Sequence, residues 1–220
     1  MTKLAVIALD GPSGVGKSTT AKRLAQALGW SYLDTGGMYR TAALALKRAG
    51  LAPEDPAAAS FLAQRRIQQT GTAFFLDGED VSGAIRTPEL STLTSAVATH
   101  PAIRDVLVAQ QRSIGAEGGW VVDGRDIGSV VFPDACCKVF LTASAEARAQ
   151  RRCLELQAAG RDARFEDILE DQRARDLQDS TRAVAPLRKA EGAVEVDSSH
   201  LSLEEVVTRI LALHRAHATA

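Results

Sequence analysis

The sequence predicts an α/β fold with a parallel β-sheet and crossover helices. A continuous apolar run from Leu4 to Leu9, ended by Asp10-Gly11, is typical of a strand that is buried on both faces. Three later runs are also short and mostly apolar, and the helical stretches between them indicate parallel strands joined by helices. These runs extend from Trp120 to Asp123, from Lys138 to Thr142 and from Ala193 to Asp197.

The remaining elements follow from local patterns. Apolar residues recur at helical spacing between positions 21 and 28, and Gly29 then offers a C-cap. An Asp77-Gly78 pair lies between two short runs and predicts a small hairpin from Thr72 to Ser82, inserted into the larger fold. The spacing of Ser202 to Glu205 fits a capping box, which predicts the start of the last helix.

Composition limits the class of protein. The 220 residues are enough to bury a sizeable core as one domain with inserts. A net charge of -1 provides no bulk field that would attract nucleic acid or an anionic membrane. No apolar run approaches the roughly 20 residues of a membrane span, and three cysteines without a signal-peptide pattern favour a reducing compartment. We therefore expect a cytoplasmic enzyme with neither a nucleic-acid nor a membrane partner.

The segment from Gly11 to Ser18 matches the phosphate-binding pattern G-x-x-x-x-G-K-[ST] at every fixed position. Glycines let the backbone turn its N–H groups toward phosphate oxygens, and the following helix directs its positive end at them. Lys17 would contact the terminal phosphates of a bound nucleotide, and the Ser18 hydroxyl would ligate Mg²⁺. The alternative is a strand-to-helix turn that binds nothing. The predicted nucleotide contacts are Gly11, Pro12, Ser13, Gly14, Val15, Gly16, Lys17, Ser18 and Thr19.

The absence of asparagine narrows the possible functions of this phosphate-binding segment. Guanine recognition by GTPases uses an N-K-x-D element, which this sequence cannot contain. The size of the chain and the lack of appended domains disfavour a motor or remodelling ATPase. A small-molecule kinase is therefore the leading hypothesis, and a nucleotide-binding module without transferase activity is the alternative from another class.

Three arginine-containing stretches are candidates for the acceptor side, because guanidinium groups grip phosphate in two places and stay charged. The stretch from Leu33 to Arg40 is predicted to be a strand, a turn and a helix. The stretch from Trp120 to Gly128 is predicted to be a strand that ends in a turn with paired opposite charges. The alternative for each stretch is an ordinary structural turn that binds nothing. The third, from Arg148 to Arg188, holds nine arginines and no lysine. Solvated i,i+4 pairs with Glu or Asp on the same helix are the preferred interpretation for three of these arginines, Arg148, Arg164 and Arg173.

Taken together, these stretches resemble bacterial cytidylate kinases, P-loop kinases that move the γ-phosphate of ATP onto CMP or dCMP. The segments "DGPSGVGKST", "LDTGGMYR", "DGEDVSGAIRT", "VVDGRDIGSVVFPDA", "RD" at Arg175-Asp176, "STRAVAPL" and "VEVDSS" stand in the family's order. The resemblance implies a single P-loop kinase domain over 1–220, with a parallel sheet flanked by helices. Its core would comprise 1–60, 101–150 and 183–220, with a small β-containing insert that binds the nucleoside monophosphate at about 61–100 and an arginine-rich helical lid at about 151–182.

The resemblance also implies roles for individual residues. Lys17, Arg125 and Arg182 would be catalytic, and Arg40 would join the two arginines in holding the CMP phosphate. Asp179, oriented by Arg175, would accept a hydrogen bond from a sugar hydroxyl. The implied CMP contacts are Thr35, Arg40, Ser95, Arg104, Arg125, Asp126, Arg175, Asp179 and Arg182.

The implied base contacts are Ser95, Arg104 and Asp126. The 4-amino group of cytosine can donate to the Asp126 carboxylate, whereas uracil presents an oxygen there, a mismatch that costs about 1–3 kcal/mol. No general base is needed, because the acceptor is already an oxyanion. Asp123 could bind Mg²⁺ through water or serve structurally, and the family implies a monomer. Kinases of UMP, AMP or shikimate remain alternatives.

Overall fold

Strands and helices alternate along the chain, as the sequence predicts. The structure, a computed structural model, describes residues 4–218 apart from the side chains of residues 88, 217 and 218. A 3₁₀ turn at Ala84–Arg86 and a π-helical turn at Ile127–Val131 complete the regular structure in this range. In chain order the elements are β1 (Leu4–Asp10), α1 (Lys17–Leu28), β2 (Ser31–Asp34), α2 (Thr35–Ala49), α3 (Ala58–Ala63), β3 (Ile67–Thr70), β4 (Ala73–Leu76), β5 (Glu79–Asp80), α4 (Pro88–Thr99), α5 (Pro101–Gly115), β6 (Trp120–Gly124), β7 (Ala135–Thr142), α6 (Ala145–Ala158), α7 (Phe165–Thr181), β8 (Val194–Asp197) and α8 (Leu203–Ala218).

The central sheet of the described chain has five strands in the order β2-β6-β1-β7-β8, and all neighbouring pairs are parallel. Its two faces are covered by separate apolar clusters. On β1, Val6 and Ala8 pack into the cluster that contains residues of α2 and α5, while Ile7 and Leu9 pack with residues of α1 and α8. This double burial explains the continuous apolar run of β1 and confirms the predicted parallel sheet with flanking helices.

The predicted hairpin is present as part of a second, antiparallel sheet. β4 and β5 pair across Asp77 and Gly78, whose φ angles of 51° and 90° suit a tight hairpin turn. A further strand that the sequence pattern does not predict, β3, pairs with β4. Phe74 of this sheet packs on α2 at Gly37, where an added Cβ would lie 2.1 Å from the ring. The insert is therefore joined to the core by a contact that only glycine permits.

The arginine-rich segment forms the helices α6 and α7, and its arginines differ in environment. Arg164 makes an exposed ion pair with Asp167, three positions away, as expected for a solvated pair at helical spacing. The pair of Arg173 with Glu146 is also exposed, but it joins α7 to α6 and does not lie within one helix. The same interpretation is wrong for Arg148, which is only 3% exposed. Its guanidinium donates to Asp176 at 2.9 and 2.5 Å and to the carbonyl of Ser13 at 3.0 Å. These partners are distant in sequence, so helical spacing could not indicate them.

The capping box at the start of α8 is confirmed: Ser202 Oγ accepts from the amide of Glu205 at 3.3 Å, and the Glu205 carboxylate accepts from the amide of Ser202 at 2.8 Å. The expected segment boundaries near 60 and 150 fall inside α3 and α6. Among residues 4–218, no helix combines the length and apolar character that crossing a membrane requires.

Candidate active site

A cleft of about 470 Å³ opens at the carboxyl ends of the central strands, where ligands bind in open α/β sheets. Part of its lining comes from the predicted phosphate-binding segment, namely Ser13, Gly14, Gly16, Lys17 and Ser18. The lining also contains every residue predicted to contact the acceptor: Thr35, Arg40, Ser95, Arg104, Arg125, Asp126, Arg175, Asp179 and Arg182. Residues spread over most of the sequence thus surround one cavity.

The glycine-rich segment has the backbone geometry that its glycines predict. Gly11, Gly14 and Gly16 have φ angles of 153°, 75° and 92°. A Cβ at Gly11 would lie 2.0 Å from the carbonyl oxygen of Leu141, so no larger residue fits there. α1 begins at Lys17 with no acidic residue in its first turn. Because Gly16, Lys17 and Ser18 line the cleft, the positive end of the helix faces it, which favours a bound anion.

Lys17 is folded back onto this segment and is 7% exposed. Its Nζ donates to the carbonyl oxygens of Gly11 at 2.8 Å and Pro12 at 2.7 Å. Burial, followed by repulsion from Arg125, lowers the pKa of Lys17 to about 7. The cleft thus holds an ammonium group whose charge is poorly compensated, and phosphate oxygens would supply the missing compensation.

Ser18 and Asp123 form a polar pair beside Lys17. Ser18 Oγ donates to Asp123 Oδ2 at 2.7 Å, and the hydroxyl of Tyr32 donates to Oδ1 at 3.2 Å. Burial, and next the charge of Asp34, raise the pKa of Asp123 to about 6. Within residues 4–218, no cluster of three or more His, Cys, Asp or Glu side chains could hold a metal ion alone. A hydroxyl and one carboxylate do fit Mg²⁺, which keeps waters and takes further ligands from substrate phosphates.

Asp179 of α7 connects two of the predicted phosphate-binding arginines. Arg125 Nε donates to Asp179 Oδ2 at 2.7 Å, and Arg182 Nη1 lies 3.7 Å from Oδ1. The expectation that Arg175 orients Asp179 differs from this geometry: within the described residues, Asp179 pairs with Arg125 and Arg182. All three arginines still line the cleft. Asp179 therefore neutralises part of the arginine charge.

Arg104 and Asp126 form a buried ion pair, with side chains only 7% and 8% exposed. Arg104 also donates to the carbonyl oxygen of Ala98 at 3.2 Å, and its guanidinium lies over the ring of Tyr39 at 5.7 Å from the centroid. These contacts fix the guanidinium in one orientation. A charge pair inside a cleft, held by α5 on one side and by the turn after β6 on the other, is well suited to recognise a polar ring.

The other predicted acceptor residues have partners of their own. Thr35 Oγ1 donates to the carbonyl oxygen of Asp123 at 2.7 Å, which ties the start of α2 to the end of β6. Arg40 Nη1 donates to Ser91 Oγ at 3.3 Å, and Ser95 Oγ donates to the carbonyl oxygen of Ser91 at 3.3 Å. α4 therefore contributes hydroxyl groups to the cleft next to Arg40.

Two buried polar residues near the cleft are not among the predicted site residues. Asp10 is 3% exposed, and Gln172 of α7 is 6% exposed. Gln172 accepts from Arg148 at 3.2 Å, and a Cβ on Gly14 would meet its amide at 3.0 Å, so α7 packs on the phosphate-binding segment. A carboxylate at the end of an otherwise apolar strand could have indicated Asp10. No sequence pattern indicates Gln172.

Comparisons with known proteins assign the chain to a family. The family model described as cytidylate kinase matches residues 7–216. Cytidylate kinases of Geobacter sulfurreducens and Syntrophotalea carbinolica are 47% and 48% identical to this chain, each alignment covering 96% of it and 92% of the relative. A shikimate kinase structure from Bacteroides thetaiotaomicron shares the fold at a TM-score of 0.52, with 14% identity and coverage of 96% and 99%. The chain belongs to the cytidylate kinase family.

Proposed function

We infer that this protein transfers the γ-phosphate of ATP to CMP or dCMP, giving ADP and CDP or dCDP. The observation that carries this inference is the shared cleft, in which a phosphate-binding segment faces a buried carboxylate and several arginines. Membership of the cytidylate kinase family supports the same reaction. The protein is accordingly a phosphotransferase whose acceptor is itself a phosphate.

The donor side would hold the ATP phosphates on the amides at the start of α1 and on Lys17. Phosphate oxygens would replace the carbonyls of Gly11 and Pro12 as partners of the Lys17 ammonium, whose charge they stabilise. Ser18 would hold Mg²⁺ directly and Asp123 through water. The bound ion would neutralise charge on the phosphates during transfer. Ser18 and Asp123 already lie within hydrogen-bond distance of each other, 2.7 Å, so little rearrangement is required.

The acceptor phosphate would lie among Arg40, Arg125 and Arg182, which line the same cleft. Positive charge there neutralises the attacking oxyanion and holds it in line with the donor. No proton has to be removed, because the attacking oxygen is ionised near neutral pH. Asp179 would exchange part of its pairing with Arg125 for a hydrogen bond from a sugar hydroxyl. Arg125 and Arg182 would then be available to the phosphate.

The base would be recognised by Asp126, Arg104 and Ser95. A carboxylate can accept at both oxygens, so the pairing of Asp126 with Arg104 through Oδ2 is compatible with acceptance of the cytosine 4-amino group at Oδ1. Uracil would place an oxygen against that carboxylate, and two acceptors would then face each other. We propose that this mismatch makes UMP a poor substrate.

The mobile parts of the enzyme would be the insert that contains β3–β5 and α4, and the lid formed by α6 and α7. Closure of a lid that carries Arg175 and Arg182 would exclude water and suppress hydrolysis of ATP. The domain is proposed to act as a monomer, which light scattering during gel filtration would test.

A substrate panel tests the proposed function. Purified protein with ATP and Mg²⁺ should phosphorylate CMP and dCMP far faster than UMP, AMP or shikimate. A preference for AMP or shikimate would overturn the assignment. Lys17→Ala should lose turnover while the protein stays folded. A non-catalytic nucleotide-binding module would instead bind ATP and give no product from any acceptor in the panel.

A further inference from the structure

We propose that Asp10, which precedes the phosphate-binding segment in sequence, is a positioning residue for the acceptor site. Its carboxylate accepts two backbone hydrogen bonds from the turn after β6: Oδ1 from the amide of Ile127 at 2.7 Å and Oδ2 from the amide of Gly128 at 2.8 Å. We call residues 124–131 the acceptor turn. The inference rests on the proposed function, because it assigns Asp10 a role through residues that would bind CMP.

The two amides belong to the start of the π-helical turn, where backbone N–H groups have no partner within the helix. Asp10 supplies one oxygen to each of them. The bidentate contact fixes both the position of the turn and its rotation about the chain direction. A water molecule could satisfy the same amides without fixing either, so the carboxylate adds precision as well as hydrogen bonds.

The acceptor turn carries the two side chains that matter most for the proposed acceptor site. Arg125 donates to Asp179 of α7, and Asp126 is paired with Arg104 of α5. Both residues lie immediately before Ile127. Movement of the turn would therefore displace the phosphate-binding guanidinium and the base-binding carboxylate together.

Asp10 also ends β1, the central strand of the sheet, where it is in register with Gly124 of β6. Gly124 cannot carry a side chain, because a Cβ would lie 2.6 Å from Ile127 and 2.8 Å from Thr35 Oγ1. The strand that leads into the donor segment thus holds the turn that forms the acceptor site. Asp10 links the two halves of the cleft through one rigid element.

The energetic cost of this carboxylate argues against a role in stability alone. Burial raises the pKa of Asp10 to about 6, although both amides and Lys17 act in the opposite direction. Removing a charge from water costs free energy, and an apolar turn packed on the sheet would avoid that cost. The contribution of the charged carboxylate is therefore the fixed geometry of the acceptor turn.

Asp10→Asn tests the proposal, because it keeps the shape of the side chain and turns one acceptor into a donor that faces an amide. Asp197→Asn is the surface control for the same change of side chain: Asp197 ends β8, is exposed, and accepts from the amide of Ser199 at 2.8 Å, outside the cleft. Asp10→Ser, whose smaller side chain leaves room for water, replaces Asp10→Asn if the latter does not fold. Asp126→Asn is measured in parallel.

The first measurement is hydrogen exchange at the amides of Ile127 and Gly128, which does not depend on activity. Asp10→Asn should accelerate it more than about tenfold, as expected for loss of a buried hydrogen bond, and the Asp197→Asn control should not. The second is the ratio of kcat/KM for CMP to that for UMP. Asp10→Asn should lower this ratio roughly tenfold and leave the Kd of ATP within about twofold of the wild type.

The outcomes separate the proposal from the function on which it rests. If Asp126→Asn lowers the CMP/UMP ratio and Asp10→Asn does not, the positioning role is wrong and the base recognition stands. If Asp126→Asn leaves the ratio unchanged, Asp126 does not recognise the base. The exchange measurement then tests Asp10 by itself, and unaltered exchange at Ile127 and Gly128 in Asp10→Asn would overturn its anchoring role as well. Equal losses of CMP and ATP affinity in Asp10→Asn would show a general structural effect and also overturn the proposal.

Discussion

Replacement of Asp126 by asparagine changes one charge inside the candidate base site and almost no volume. The residue forms a buried pair with Arg104 in which both side chains are less than a tenth exposed. The substituted amide would still offer a carbonyl oxygen to the guanidinium. It would leave the positive charge of Arg104 without a compensating negative charge in a desolvated position.

The size of the effect follows from that burial. Removal of one partner from a buried ion pair costs about 3–5 kcal/mol, and the remaining hydrogen bond places the expected loss near 3 kcal/mol. For a domain of this size each kcal/mol lowers Tm by roughly 2–4 °C, so Tm should fall by about 6–12 °C. The new amide can donate to the 4-oxygen of uracil, so the preference for CMP over UMP should shrink by at least about tenfold.

Two assays measure these effects. Thermal unfolding of the nucleotide-free protein, followed by circular dichroism, gives the change in Tm. A coupled assay of ADP formation gives kcat/KM for CMP and for UMP. Glu79→Gln is a suitable control for the stability effect, because Glu79 pairs with Arg48 at the surface, where the side chains are 58% and 44% exposed. Its Tm should change far less.

Two results would refute the reasoning. A Tm within about 2 °C of the wild type would mean that the Arg104 charge does not depend on Asp126 for compensation. A lower Tm together with an unchanged ratio of kcat/KM values would leave the ion pair as a structural feature and remove Asp126 from base recognition.

Three further predictions follow from other parts of the cleft and its supports. Burial and the charge of Arg125 lower the pKa of Lys17 in the nucleotide-free protein, and phosphate oxygens beside the ammonium group should raise it again on ATP binding. Calorimetry at pH 8 in buffers of different ionisation enthalpy should therefore show net proton uptake on ATP binding in the wild type; equal uptake by Lys17→Met would contradict the assignment. Arg148→Met removes the partner of Asp176 and of the Ser13 carbonyl, and we expect a loss of about 3 kcal/mol in urea unfolding. Arg173→Met breaks an exposed pair and should cause little change, so equal losses in the two variants would refute the special role of burial. Gly37→Ala places a Cβ 2.1 Å from Phe74 and should destabilise the protein by about 2 kcal/mol despite the better helix propensity of alanine. Phe74→Leu should recover part of that loss in the double variant, and strictly additive effects would show that the two residues do not collide.

The sequence by itself determined the features whose causes are local. The glycine conformations of the phosphate-binding segment, the helix that follows it and the capping box at Ser202 each involve residues that are a few positions apart. The class of fold was equally predictable, because a sheet covered on both faces requires continuous apolar strands. β3 was missed because its sequence, IQQT, lacks the apolar alternation by which strands are predicted.

Only the tertiary structure decided which charges pair. Arg148 meets Ser13 across 135 positions, Asp10 meets Ile127 across 117, and Arg125 meets Asp179 across 54. Helical or strand periodicity relates residues only within one element, so it cannot identify such partners. A chain rich in arginine and aspartate offers each guanidinium several carboxylates, and the choice among them depends on distance and burial. For Arg148 the choice differed from the expected pairing at helical spacing because packing of α7 against α6 brought Asp176 to its guanidinium. For Asp179 the resemblance implied orientation by Arg175, whereas the packing of α7 beside the turn after β6 brought it to Arg125.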